Sequence, residues 1–310
     1  MSPTPPAALA QKMIGIYGES GRAWLERLPE IVRRCAERWG LTVGEPAGEI
    51  SFNLVLLVRR ADGSEAILKA GLPGRGLRAE IAALRHWHGR GAALLLGADE
   101  AEGALLIERL RPGTPLHTLT DDEAATRIAA RVMRQLWRPA PDAHAFPSVI
   151  DWGGGFGRHR ARCGGSSGPL PPRLFDAAER TFAELAASMA PVVLLHGDLH
   201  HGNILAAERR PWLAIDPKGV IGEPAYETGA FLRNWRPDLL RTPSAGRLLR
   251  RRIGIFAEEL GLDAERIRRW AFAQAMLSAC WSVEDRTSSG AWGVACAELL
   301  ADRASSARRS

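Results

Sequence analysis

The densest run of chemically capable side chains is His196-Gly197-Asp198-Leu199-His200-His201-Gly202-Asn203. Further along, the apolar stretch Trp212-Leu213-Ala214-Ile215 delivers Asp216. Asn203 and Asp216 offer two hard oxygen ligands, a set that suits Mg²⁺, which takes a few protein oxygens and completes its shell with water and phosphate. Asp198 stands five residues before Asn203 and is a carboxylate of the kind that takes a proton from an attacking hydroxyl. A metal to neutralise charge and a carboxylate to orient a nucleophile are what phosphoryl transfer requires. The strand-loop-strand context predicts that Asp198, Asn203 and Asp216 lie near one another.

The elements that must position these groups follow from periodicity and turn chemistry. Residues 22–39 read as a helix with Pro29 marking a restart or kink. Thr42–Pro46 and Phe52–Arg59 read as strands around the loop Ala47–Ser51, and Asp62-Gly63 signals a hairpin leading to a third strand, Glu65–Ala70. Leu77, Ile81, Leu84 and Trp87 recur at helical spacing over Leu77–His88. Ala92–Leu96 and Ala104–Glu108 complete a five-stranded antiparallel sheet with one helix inserted after its third strand. Beyond Arg111-Pro112-Gly113 the pattern turns helical: Asp121–Trp137 with an acidic first turn that suits the helix dipole, then Arg173–Met189, roughly 244–260, 263–283 and a last stretch to about 303. Short strands, Val192–Leu195 and Trp212–Ile215, bracket the polar loop. Residues 139–172 are rich in Pro and Gly. Gly153-Gly154-Gly155-Phe156-Gly157 follows no convincing strand, so a flexible loop or a poorly stable helix is expected there rather than a phosphate cradle.

Composition narrows the class. The 310 residues carry 41 basic and 35 acidic side chains, a net charge of +6. Only Lys12, Lys69 and Lys218 are lysines, and the arginines alternate with acids along helices (Arg22, Glu26, Arg27, Glu30, Arg33, Arg34, Glu37, Arg38). That pattern is a solvated face and predicts no nucleic-acid partner. No apolar run approaches the ~18 residues of a membrane span, and the N-terminus lacks the basic head and apolar stretch of a signal peptide. Cys35, Cys163, Cys280 and Cys296 have neither metal-site nor redox spacing, which points to a reduced, cytoplasmic protein. His196 and His200 stand four apart, but no glutamate follows His196 as in zinc proteases, and a metal hydrolase leaves Lys69 without a role. Lys218 reads equally as a phosphate or substrate contact and as a surface lysine.

HGDLHHGN followed by IDP resembles the catalytic and metal-binding loops of the aminoglycoside phosphotransferase family, a branch of the protein-kinase-like fold. GRAWLERLP, RADGSEAILK, LLIERL, HGDLHHGNIL and WLAIDPKGVIGEPAYE resemble more closely the streptomycin 6-phosphotransferase group, the aminoglycoside/hydroxyurea resistance kinases. The likeness runs over roughly residues 20–305. It implies an α+β, two-lobed fold: an N-terminal helical extension (1–40), a nucleotide-binding sheet lobe (41–110) and a larger helical lobe (111–310), with a hinge near 108–112. It implies that Asp198 is the catalytic base, that Asn203 and Asp216 hold Mg²⁺, and that Lys69 contacts the α and β phosphates of ATP with Glu80 fixing its position. The backbone at Glu108 and Leu110 would hold adenine, and Ser51 would touch phosphate. The loop Pro46–Ser51 departs from the kinase pattern, having a single internal glycine instead of G-x-G-x-x-G.

An aminoglycoside is a polycation, so its pocket needs carboxylates, and Glu223, Glu227, Glu284 and Asp285 are the candidates. Trp281 could stack on guanidinium groups, although helix packing explains it equally well. The expected activity is ATP- and Mg²⁺-dependent O-phosphorylation of a small hydroxylated antibiotic, streptomycin at its 6-hydroxyl, by a monomer. The rival expectations are a kinase for a metabolite such as choline, homoserine or a sugar amine, and a non-catalytic binding module of the same fold.

Overall fold

The computed structural model describes residues 5–47, 52–140, 146–234, 242–285 and 290–301. The chain forms two compact units, one of residues 1–113 with 206–218, the other of 114–205 with 219–310. Ser51 lies outside the described residues.

The first unit is built on an antiparallel sheet of β1 (Leu41–Pro46), β2 (Asn53–Arg60), β3 (Glu65–Gly71), β4 (Leu95–Asp99) and β5 (Ala104–Glu108), in the order β1-β2-β3-β5-β4. The Asp62-Gly63 turn sets the β2–β3 register: Gly63 adopts φ 82° and Asp62 Oδ1 accepts from Ser64 N at 2.9 Å. Helix α1 (Ala7–Trp39) begins well before residue 22 and breaks at Gly18, not at Pro29. Gly18 has φ 55° and ψ −130°, a conformation few side chains tolerate. Pro29 stays within the helix. Leu28, Ile31, Val32 and Cys35 of α1 pack onto Leu54, Leu56, Val58, Ala66, Leu68 and Ala70, forming this unit's core. Side chains alternate along a strand, so with Leu68 and Ala70 turned to that core, Lys69 projects from the opposite face of β3.

Helix α2 (Arg75–Trp87) buries Leu77, Ile81, Leu84 and Trp87, and Glu80 with them. The expected fourth strand, Ala92–Leu96, is displaced, because its apolar run serves two partners. Ala92 pairs in parallel with Ala214, Ala93 N donates to Ala214 O at 2.8 Å, and the sheet strand proper starts only at Leu95. This pairing ties the strand Trp212–Ala214, and hence Asp216, to the same unit.

The second unit is mostly helical: α3 (Asp122–Leu136), α4 (Val149–Arg162), α5 (Pro172–Ala187), α6 (Pro224–Arg233), α7 (Ala245–Leu260), α8 (Ala264–Glu284) and α9 (Gly290–Leu300). A small antiparallel sheet joins Arg138–Pro139, Val193–Leu195 and Val220–Gly222. Helix α8 is buried nearly all round, with Ile267, Trp270, Ala271, Ala275, Met276 and Ala279 inside. An apolar helix of this kind belongs at the centre of a bundle. Among the described residues no helix is long and apolar enough to cross a membrane.

The glycine run 153–157 lies within α4, an ordered helix rather than a loop. Ser148 and Asp151 form a reciprocal capping box at its start. The glycines allow close packing: a Cβ on Gly153 would overlap the Phe182 ring, and one on Gly155 would lie 2.7 Å from Leu277 Cδ1. Phe182 is fixed edge-on against Phe156 and Trp270, at 5.8 and 5.2 Å between centroids, so it has little room to give. In an open helix Gly→Ala gains about 1 kcal/mol. Here overpacking wins, and Gly153→Ala should lower unfolding stability by about 1–3 kcal/mol. Urea denaturation checks this; a gain in stability would show that the α4–α5 contact is loose.

Candidate active site

In the first unit four charged groups meet. Lys69 Nζ donates to Glu80 Oε1 and Oε2 at 2.7 and 2.8 Å and also to Asp216 Oδ1. Lys218 Nζ donates to the other oxygen of Asp216, Oδ2, at 2.7 Å. Lys69 and Glu80 are each only 5% exposed, so each charge depends on the other for compensation; removing one partner of such a buried pair typically costs about 3–5 kcal/mol. Burial opposes the Lys69 ammonium, but the carboxylates of Glu80 and Asp216 outweigh it and hold its pKa above the usual lysine range. Burial likewise pushes Asp216 up, and the ammonium groups of Lys69 and Lys218 outweigh it, keeping the carboxyl well below the usual range. Asp216 has φ 59°, left-handed backbone for a residue with a side chain. Such strain, of order 1 kcal/mol or more, persists where the surroundings over-determine it.

Glu108, at the end of β5, donates its backbone N–H to Leu94 O at 2.9 Å. Its carboxylate accepts from Leu94 N at 2.9 Å and from Arg209 Nε at 3.1 Å. Leu110 is half-buried shortly after.

In the second unit the loop His196–Asn203 leaves the strand Val193–Leu195. Its first turn is held from within the protein by Glu227 of α6, whose Oε2 and Oε1 accept from His196 N at 2.6 Å and Gly197 N at 2.9 Å. Burial pushes the Glu227 carboxyl up to about 7, against the two amides that favour its charged form. The histidines brace the loop. His196 Nδ1 accepts from Asp198 N at 3.2 Å, and His200 Nδ1 accepts from Gly202 N at 3.0 Å. Among the described residues no group of three or more His, Cys, Asp or Glu side chains could hold a metal.

Asp198 is a quarter exposed. Its Oδ1 lies 3.5 Å from both Asn234 Nδ2 and Arg233 Nη2, and its Oδ2 lies 3.9 Å from His200 Nε2. Asn203 turns its amide nitrogen onto the Asp198 carbonyl at 2.9 Å. Asn203 in the second unit and Asp216 in the first each carry a hard oxygen of the type Mg²⁺ takes, so each residue taken singly fits that ion.

The carboxylates expected to receive an acceptor are placed differently. Glu227 is bound to the loop amides and 1% exposed, and Glu223, 3% exposed, forms a two-point ion pair with Arg266, 2.6 Å from its Nε. Both are engaged inside the protein. Asp285 is exposed just beyond α8, while Trp281 packs edge-on against Trp152 at 5.8 Å. Sequence reasoning missed Arg233, Asn234 and Arg252. Arg252 of α7 is fully buried, pairs with Asp122, lies over Phe231 at 5.1 Å and places Nη2 3.3 Å from His201 Nε2. Nothing local in the sequence marks it; a fully buried arginine reveals itself only through its partners.

Similarity to known proteins accords with this architecture. The structure aligns with aminoglycoside phosphotransferase APH(4)-Ia, solved as a ternary complex with ADP and hygromycin B, at a TM-score of 0.63 and 16% identity over 86% of this chain and 97% of that one. It aligns with the choline kinase LicA of Streptococcus pneumoniae at 0.61 and 14% identity, over 87% and 96%. The chain therefore has the protein-kinase-like fold. Residues 38–286 match the model of the aminoglycoside/hydroxyurea antibiotic resistance kinases. Streptomycin 6-kinase of Streptomyces glaucescens is 34% identical over 286 residues, 92% of each chain. Hydroxyurea phosphotransferase of Kitasatospora aureofaciens is 38% identical over 315 aligned positions, 96% of this chain and 86% of that one. This chain belongs to the aminoglycoside/hydroxyurea antibiotic resistance kinase family.

His201 carries a consequence for acid stability. It stacks on Phe231 at 3.7 Å, and burial, then the Arg252 charge, pushes its pKa down to about 2. An unfolded histidine titrates near about 6.5. Between those values the unfolded chain binds the extra proton, so stability is full above the upper value and falls with pH below it, by up to about 1.4 kcal/mol per unit. In urea titrations from pH 7 to 5, His201→Gln should flatten that decline. Identical slopes in the two proteins would show that His201 is not held neutral.

Proposed function

We propose that the protein is an ATP- and Mg²⁺-dependent phosphotransferase that O-phosphorylates streptomycin at its 6-hydroxyl, inactivating the antibiotic. The similarity to streptomycin 6-kinase over 92% of the chain carries the choice of substrate; the Lys69–Glu80–Asp216 cluster supports the choice of reaction. Lys69, aimed by Glu80, binds the α and β phosphates, and the β5 end at Glu108 and Leu110 takes adenine. Asn203 and Asp216 hold Mg²⁺, which when bound neutralises charge on the phosphates. Asp198 accepts the hydroxyl proton. Ser51 retains its expected part in covering phosphate, and Asp285 remains the candidate contact for a cationic acceptor. Glu223 and Glu227 act through Arg266 and the loop amides instead. The enzyme works as a monomer in the cytoplasm, where ATP is supplied.

A second reading, hydroxyurea as acceptor, is favoured by the 38% identity to hydroxyurea phosphotransferase and by the internal engagement of Glu223 and Glu227, two of the carboxylates that were candidates for a polycation. Mass spectrometry of the phosphorylated product from each acceptor separates the two readings. For either, Asp198→Ala should lower kcat by ~10²–10⁴-fold, the range for losing a general base, while the Kd for ATP changes little. A fully active variant would reject the assignment of Asp198.

A further inference from the structure

Lys218 is one of three lysines in the chain, and the reaction as derived above leaves it without a part. Its side chain is 45% exposed, yet its Nζ is 2.7 Å from Oδ2 of Asp216. The two oxygens of one carboxylate thus each accept from a different ammonium group, Lys69 on one and Lys218 on the other. The two lysines are held differently. Lys69 is buried and gripped from behind by both oxygens of Glu80, so its direction is fixed by the body of the unit. Lys218 is aimed by the backbone: Asp216 has φ 59°, Pro217 has a ring-fixed φ, and Gly219 has φ 60°. This bend folds the lysine back onto the carboxylate two residues before it. Left-handed backbone costs a residue with a side chain some strain, and here the surroundings hold it.

We propose that Lys218 is a catalytic residue that contacts the γ-phosphoryl group of the nucleotide and stays on it during transfer. The inference rests on the reading of the protein as a Mg²⁺- and ATP-dependent phosphotransferase. Phosphates carried on a cation at Asp216 come within reach of an ammonium that already touches that carboxylate. Lys69 is committed to Glu80, whereas the exposed arm of Lys218 can follow the oxygens of the departing group. In the transfer the bond between the γ-phosphorus and the β,γ-bridging oxygen breaks, and its electron pair stays on ADP. The acceptor oxygen forms the new bond to phosphorus, and its proton passes to Asp198. Lys218 remains protonated throughout and offsets negative charge on the three peripheral oxygens, the part that a positively charged side chain plays in other phosphoryl-transfer sites. Charge-assisted hydrogen bonds of this kind are the strong class.

The test uses Lys218→Met and Lys218→Arg in the full-length enzyme. Calorimetric titration with Mg²⁺–ADP and with Mg²⁺–AMP-PNP reads the γ-phosphate contact without turnover. Lys218→Met should bind ADP as the wild type does, and its preference for AMP-PNP over ADP should fall ~10-fold or more. Its kcat should fall ~10²–10³-fold with the acceptor KM unchanged, and Lys218→Arg should recover part of both losses. Unchanged ADP affinity and an unchanged thermal midpoint serve as the controls for folding. An unaltered AMP-PNP preference, or an unaltered kcat, would overturn the proposal while leaving the phosphotransferase reading in place. Failure of the wild type to bind either nucleotide would overturn both.

Discussion

The arrangement of the first unit depends on the cost of burying one ammonium group. Lys69 is buried on the face of β3 turned away from α1, and that position is tolerable only because carboxylates meet it there. Glu80 must therefore be carried inward by α2, with the apolar stripe of Leu77, Ile81 and Leu84 keeping that helix seated. Asp216 must be brought alongside by the strand Trp212–Ala214, which Ala92 and Ala93 pin in place. A helix, the strand pairing that delays the start of β4 and the left-handed backbone at Asp216 thus converge on a single buried charge. Replacing the cluster by hydrocarbon would be energetically neutral or better in many proteins, so its retention here is consistent with use rather than with stability.

The second unit solves a different problem, that of holding a loop whose own backbone has little regular pairing. Glu227 reaches the first two amides, His196 and His200 each close a short turn with a ring nitrogen, and Asn203 ties its end back to the Asp198 carbonyl. Behind it, His201 is clamped between Phe231 and Arg252. The Asp198 carboxylate is thereby carried on a loop braced from several sides.

Much of this was legible in the sequence because it rests on local regularities. The sheet strands followed from alternation and the Asp62-Gly63 turn, and α2 from its helical spacing; the pairing of Lys69 with Glu80 came from a family pattern of strand followed by helix. What escaped was non-local. The start of β4 shifted because Ala92 found a partner more than a hundred positions away. Glu223 and Glu227 looked like free acids because Arg266 and the loop amides are distant in the chain. Helix α1 extends back to Ala7 because its early turns bury Leu9 and Met13, a gain that Gly15 and Gly18 conceal. The glycines of α4 argued against a helix, since their neighbours, Phe182 and Leu277, emerge only when α5 and α8 are in place.

That last dependence constrains the order in which the protein can be made. A stretch with four glycines between 153 and 157 has little intrinsic reason to coil, and an isolated helix of this length is marginal even with a favourable sequence. During synthesis α4 leaves the ribosome well ahead of the aromatic and leucine side chains that give it a surface to lie on. On its own it has little to hold it helical until the chain has grown past Leu277, whose side chain lies against Gly155. The C-terminal third of the polypeptide thus supplies part of the surface that a helix encoded near the middle needs, and a nascent chain stalled short of α8 would leave this segment with only its α5 contacts, open to proteases and chaperones.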